Sequence, residues 1–173
     1  MKIISSSLIK ELDITPSTCL EWVKESFALK VSSQLPAKIS LHPQGNDFFN
    51  TMPCLLPTTH NYFGVKIVHR IKGAVPALGS DILLYNSQTG ELLSMMDADW
   101  ITTMRTGAVA TLAIQTFRKT KTKTYGILGL GNTDVPQYYA SLTPNQIQCT
   151  TWFYCVTRTK QNHLLLASRI IPT

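Results

Sequence analysis

An apolar run opening into a Gly-x-Gly turn, Tyr125-Gly126-Ile127-Leu128-Gly129-Leu130-Gly131-Asn132-Thr133, constrains the fold of this chain more than any other stretch. A short buried strand delivers the turn. Gly129 and Gly131 have no Cβ, so the backbone can approach a pyrophosphate, while the N–H groups and positive end of a following helix face its charge. These residues open a dinucleotide-binding βαβ unit. Two departures follow: Asp134 stands where a third small residue is expected, and Pro136 falls where the helix gains its first turns. On its own the segment also fits an ordinary strand-to-helix turn. Only 42 residues come after Gly131, and one mononucleotide half needs three parallel strands. The expectation is therefore a nucleotide-binding segment that is begun and not completed, with weak dinucleotide binding and the least order over 134–173.

The 173 residues, 44% hydrophobic, suffice for a packed core of one domain, or one small domain and part of another. No apolar run reaches the roughly 18 residues of a membrane span, and the N-terminus lacks a secretory apolar region and cleavage site, which predicts a soluble, cytoplasmic protein. Cys19, Cys54, Cys149 and Cys155 form no C-x-x-C pair and have no His at ligand spacing, so they read as reduced, mostly buried thiols. His42, His60, His69 and His163 are scattered and read as structural, and no metal site is expected. Residues 1–99 carry nine acids and eight bases and residues 100–173 one acid and eight bases, so the net charge of +6 belongs to the second half. Its densest patch, Arg118-Lys119-Thr120-Lys121-Thr122-Lys123, lacks interleaved aromatics and follows a predicted helix whose C-terminal dipole it complements. It reads as a solvated linker, with neither nucleic acid nor membrane as partner.

Thr15-Pro16 reads as an N-cap with proline at the first helical position, and Leu20, Val23, Phe27 and Val31 recur at helical spacing, predicting a helix over 16–32. Short segments divided by Pro, Gly and Asn follow at 38–41, 48–56, 62–71, 82–85 and 92–96, a run of strands in which Asn86-Ser87-Gln88-Thr89-Gly90 has hairpin-turn chemistry. Asp97 or Asp99 caps a second long helix, ending near Phe117, with Ile101, Met104, Ala108, Leu112 and Phe117 as its apolar stripe. Beyond it come a strand over 124–128, another over 147–156 and a helix over 159–170. All nine glycines lie at or before Gly131, so the tail differs in composition from everything before it. Either the nucleotide domain is divergent or the reading frame is disturbed after the Gly turn.

Three basic residues, Lys38, Lys66 and Arg105, sit at or beside these elements. Lys66 interrupts the apolar run Phe63-Gly64-Val65-Lys66-Ile67-Val68, and Arg105 lies in the early turns of a helix rich in small residues. Such placement costs desolvation free energy unless an anion is near. An Arg fork binds a carboxylate bidentately and a Lys adds a point charge or a proton, which suits an amino-acid or keto-acid substrate. Each taken singly reads more readily as a structural salt bridge or a snorkelling side chain.

In order, however, the segments Leu35-Pro36-Ala37-Lys38-Ile39-Ser40, Asn50-Thr51-Met52-Pro53, Gly64-Val65-Lys66-Ile67-Val68, Pro76-Ala77-Leu78, Met96-Asp97 and Met104-Arg105-Thr106-Gly107-Ala108-Val109-Ala110, ending in Gly129-Leu130-Gly131-Asn132, resemble the ornithine cyclodeaminase/mu-crystallin family. The resemblance covers 35–133. It implies an α/β protein: an N-terminal mixed α/β substrate-binding and dimerisation domain over 1–118, then an incomplete Rossmann-type NAD(P)-binding segment over 119–173. Lys38 is similar to the basic residue that holds the substrate carboxylate, Lys66 to the lysine at the reacting amine or imine, and Arg105 to the arginine bridging carboxylate and cofactor. Thr106 and Gly107 are implied beside the nicotinamide, Ser80 as a cofactor-contacting hydroxyl, and Gly129, Gly131, Asn132 and Thr133 around the pyrophosphate. Arg158, after the strand ending at Val156, resembles the arginine of members that use NADP; the cofactor is NAD or NADP. The family's catalytic aspartate falls beyond residue 173.

The implied activity is that of an ornithine cyclodeaminase, an ammonia-releasing, cyclising lyase in which hydride leaves the substrate Cα, ring closure expels ammonia, and the cyclic imine is reduced to proline. An imine reductase, a mu-crystallin-like NADP- and ligand-binding protein without turnover, and an inactive truncated form remain as alternatives. The implied partners are a small amino-acid or imine substrate and a second copy of the chain. The open sheet over 37–97, with the helix over 98–117 packed nearby, has too few helices to cover both faces, so the second copy is expected to bury it.

Overall fold

The computed structural model describes residues 1–117, 126–128, 152–158 and 164–170, divided into two compact units: Met1–Ile14 with Glu21–Thr102, and Thr15–Leu20 with Thr103–Thr173. The first unit is built on a six-stranded sheet in the order β1-β6-β5-β4-β3-β2, comprising β1 (Lys2–Ile4), β2 (Ile39–Leu41), β3 (Phe48–Leu55), β4 (Tyr62–Arg70), β5 (Leu78–Asn86) and β6 (Leu92–Asp97). Strands β2 to β6 form an antiparallel meander, and β1 joins the far edge parallel to β6. The strands expected over 38–96 are all present, β5 beginning four residues earlier than its apolar run suggested. The hairpin after it closes as its residues dictate: Asn86 Oδ1 accepts from the Gln88 and Thr89 N–H groups, and Gly90 takes φ +75°. Two elements were not foreseen, β1 and the six-residue helix α1 (Ser6–Glu11), capped by the Ser5 hydroxyl.

Helix α2 (Pro16–Leu29), continued by a 3-10 turn at Lys30–Ser32, starts as its sequence requires: Thr15 Oγ1 accepts from the Thr18 N–H at 3.2 Å. Helix α3 (Asp99–Phe117) starts where Asp97 Oδ1 accepts from the Asp99 N–H, and buries Met104, Gly107, Ala108 and Thr111 along one side. Phe117, expected on its apolar stripe, is exposed.

In the second unit β7 (Gly126–Leu128) pairs in parallel with β8 (Trp152–Arg158), and β9 (Leu164–Ile170) runs antiparallel to β8. The helix expected over 159–170 is corrected by this strand. The run Leu164-Leu165-Leu166-Ala167 satisfies either periodicity, and the free edge of β8 supplies a partner for every residue from Leu164 to Ile170. A third strand antiparallel to the second also departs from the parallel order of a complete mononucleotide half.

Alternation divides the large sheet into two faces. One carries the row Ile4–Met96–Ile82–Lys66–Met52, directly paired across five strands; the other carries Ile3–Met95–Leu83–Val65–Pro53. Apart from Asp81 and Asp97 at one end, the second face is largely apolar and open within the unit: Ile3 is 72% exposed, Ile39 59%, Leu41 65%, Phe49 40% and Met95 42%. On it His69 lies against Phe49, ring centroids 5.8 Å apart, and occupies the space above Gly79, where a Cβ would come within 2.7 Å of His69 Nε2. Gly79→Ala should therefore cost about 1–3 kcal/mol, by displacement of a packed ring. The same change in a His69→Ala background should cost less than half as much in urea unfolding; equal costs in the two backgrounds would rule out His69 as the reason for glycine here.

Candidate functional site

Lys66 lies at the centre of β4, half-buried, with Met52 on one side and Ile82 on the other. Lys38 is exposed and immediately precedes β2; since Ile39 pairs with Thr51, continuing the register places Lys38 level with Met52 and so in the row of Lys66. On that continuation two charges separated by 28 positions in sequence would stand two strand spacings apart, about 10 Å.

Edge strand β2 is only three residues long, and a chain of polar contacts fixes its end. The Asp47 carbonyl can only accept, so His42 Nδ1 donates to it at 3.0 Å; in the neutral ring Nε2 is then an acceptor and takes the Ser40 hydroxyl proton at 3.2 Å. Asp47 is itself buried, its Oδ1 accepting from the Lys72 N–H at 2.9 Å, which ties the β2–β3 loop to the β4–β5 loop. Ser40, two positions from Lys38, pairs directly with Asn50 on β3.

Asn50 was passed over as a site residue at the sequence level, where it served only as part of a family motif. Its Oδ1 is buried and has no hydrogen-bond partner. By alternation it shares the face of Met52 and Lys66, in a row that continues through Val68 to Ser80. The available signal was an Asn within Phe48-Phe49-Asn50-Thr51-Met52, a residue type depleted in strands.

Ser80 is buried, and its hydroxyl donates to Asp99 Oδ1 at 3.0 Å and lies 2.8 Å from Thr102 Oγ1. Its carbonyl accepts from the Ala98 N–H at 2.8 Å, and Thr102 Oγ1 donates to the Ala98 carbonyl at 2.6 Å. One serine therefore clamps the start of α3 onto β5. Arg105 and Thr106 follow on exposed positions of α3 and Gly107 on a buried one. Gly129, Gly131, Asn132 and Thr133 lie outside the described residues, and Arg158 is the last residue of β8. Leu128, the last residue of β7, pairs with Tyr154, so the Gly turn and Arg158 both follow the carboxyl ends of parallel strands, where open α/β sheets bind nucleotides.

Cys54, paired with Gly64 on the Lys66 face, is half-buried and Cys19 is buried; desolvation raises both thiols above their ordinary range, so neither is a thiolate nucleophile at neutral pH. Among the described residues no three His, Cys, Asp or Glu come together as a metal site, and no helix is long and apolar enough to cross a membrane.

The family model of the ornithine cyclodeaminase/mu-crystallin family matches residues 3–167. Over 158 residues the sequence is 28% identical to a Delta(1)-pyrroline-2-carboxylate reductase of Colwellia psychrerythraea, covering 88% of this chain and 50% of the reductase. The fold matches that of Thermococcus litoralis Delta(1)-pyrroline-2-carboxylate reductase, solved with NADH and L-proline, at a TM-score of 0.77 and 23% identity, over 91% of this chain and 50% of that one. A probable ornithine cyclodeaminase from Bordetella pertussis gives 0.75 and 21%, over 93% and 50%. The chain spans about half the length of the curated reductase it matches.

Replacing Ser80 by Ala should lower stability by about 1–2 kcal/mol with no ligand present, since Asp99 and Thr102 lose a buried partner. An unchanged urea midpoint for Ser80→Ala would remove the clamp.

Proposed function

The chain belongs to the ornithine cyclodeaminase/mu-crystallin family, and on that premise we propose that it is the substrate-binding part, 1–118, and the start of the nucleotide-binding part, 119–173, of an NAD(P)-dependent enzyme. The substrate is a small α-amino acid or its cyclic imine. The observation that carries this reading is Lys66 at mid-sheet with Lys38 leading into the edge strand two places away; the continued register sets them in one row, two cations at a separation that a carboxylate and a neighbouring nitrogen can span.

Lys38 holds the substrate carboxylate as a point charge at the sheet edge, its strand fixed by the Ser40–His42–Asp47 contacts. Lys66, in a half-buried row with Met52 and Ile82, presents Nζ to the substrate nitrogen, donating a proton as an imine becomes an amine and taking it back in the reverse direction. Arg105 supplies a guanidinium fork for carboxylate and cofactor, with Thr106 and Gly107 on the nicotinamide side. The parallel pairing of β7 with β8 supports a dinucleotide site, in which Gly129, Gly131, Asn132 and Thr133, following β7 in sequence, would take the pyrophosphate and Arg158, the last residue of β8, a 2′-phosphate. The bound nicotinamide supplies or accepts the hydride; the protein holds Cα in line and excludes water. Ser80 serves this site through its clamp on the first turn of α3.

Imine reduction and its reverse are the chemistry common to the reductases and the cyclodeaminase among the similar proteins, and that step is the reading best supported. Ornithine cyclisation with ammonia release is its narrower form. The open apolar face supports a homodimer in which Leu41, Phe49 and Met95 meet a second copy.

In the full-length protein Lys66→Ala and Arg105→Ala should each lower kcat/KM at least about 100-fold, a far larger effect than on stability, because each removes a charge aimed at substrate. Normal turnover in both variants would discard these roles. Light scattering at micromolar concentration should give a dimer for the wild type and a monomer for Leu41→Lys, an exposed position whose change leaves the unit's own packing intact; a wild-type monomer would exclude the dimer.

A further inference from the structure

We infer that Asp81 makes the closing of the apolar face on a second copy proton-linked, so that a fall in pH drives two protomers together. The inference rests on the homodimer reading of that face. It begins from the charges that the strands place there. Across β1 to β6 the apolar face carries Asp81, Asp97 and His69, whereas Lys2, Lys66 and Arg70 all fall on the other face. The two carboxylates stand directly opposite each other on β5 and β6, a pairing that destabilises a sheet unless something neutralises it.

The two aspartates are not equivalent. Asp97 ends β6, and its Oδ1 accepts from the Asp99 N–H at 3.0 Å, while the Asp99 carboxylate turns to the Ser80 hydroxyl on the Lys66 face. Asp81 is half-buried between Asp97 on one side and Ile67 on the other, and its side chain has no hydrogen bond or ion pair among the described residues. From β4 the one titratable group near it is His69, two residues beyond Ile67 and diagonal to Asp81, with its ring over Gly79. In the free unit water solvates Asp81. A two-fold partner presents the same patch, and so its sheet brings two more aspartates and a histidine but no lysine or arginine. Taking an unpaired carboxylate out of water beside a second carboxylate is costly. A proton on Asp81, or on a His69 ring facing it, removes that cost. In either place the proton is bound on association, so the sign is the same: mass action favours the dimer as pH falls and the separate protomers as pH rises.

Sedimentation equilibrium of the full chain at pH 8, 7 and 6 tests this. The wild-type dimer Kd should fall at least about tenfold from pH 8 to pH 6, which corresponds to an average of about half a proton bound per dimer. Asp81→Asn keeps the side-chain shape, removes the charge and leaves Asp97 in place at the start of α3. It should dimerise at pH 8 as tightly as the wild type does at pH 6, and lose most of the pH dependence; Asp81→Ser, a second neutral variant, should behave likewise. A wild-type dimer whose Kd is the same at all three pH values, a pH dependence that both variants retain, or weaker dimers from both variants at pH 8 would each overturn the inference while leaving the dimer standing. A wild-type monomer at every pH would overturn the dimer and the inference with it.

Discussion

The ladder of backbone hydrogen bonds between β3, β4 and β5 is the constraint on which the rest of the first unit depends. Side chains alternate with period two, so a slip of one residue in the pairing of Met52 with Lys66 would move Lys66 to the apolar face and bring Val65 or Ile67 to the polar one. The register is held by its ends as much as by its middle. The Asn86–Gly90 turn closes one hairpin, Asp47 anchors the loop at the other end of β4, and the ring of His69 over Gly79 fits only when those two residues are opposite each other. Between Leu84 and Tyr85 the pairing with β6 shifts by one residue, confining the irregularity to the end of the sheet away from Ser80 and the start of α3.

The two faces carry opposite demands. Lys66 and Ser80 require a polar environment that an apolar core cannot supply, whereas Phe49, Leu41 and Ile39 leave large apolar surfaces in water on the other side. A single sheet meets both because each strand alternates, and the absence of helices from the strand run between residues 39 and 97 follows from the same arrangement. Along α3 the small residues Gly107 and Ala108 are buried with Met104 and Thr111.

What was legible in the sequence is what local chemistry determines. Thr15-Pro16 announced α2, the Asn86–Gly90 run announced its hairpin, and Lys66 stood out as a charge within an apolar strand. The residues that escaped notice draw their meaning from partners far along the chain. Strand β1 is three residues long and exists only as a companion to β6; α1 is too short to display a periodicity. The stretch at 164–170 has an apolar pattern compatible with helix or strand, and the open edge of β8 decided between them. Asn50 is unremarkable in sequence because the lack of a partner is a property of the packed sheet, and Ser80 gave no sign of Asp99 and Thr102 as its neighbours.

The parallel edge strand β1 has a consequence for how this sheet is assembled. Lys2 pairs with Ser94 and Ile4 with Met96, across a loop of about 90 residues, whereas the five meander strands each pair with a neighbour already at hand. During synthesis the first strand made must therefore wait, unpaired, until the last strand of the sheet has emerged, and the meander can form without it. Strand β1 becomes a late-closing seam, and β6 keeps an open edge until that moment. A folding chain would be most exposed to strand exchange with another copy at β6, on the side of the sheet remote from Lys38.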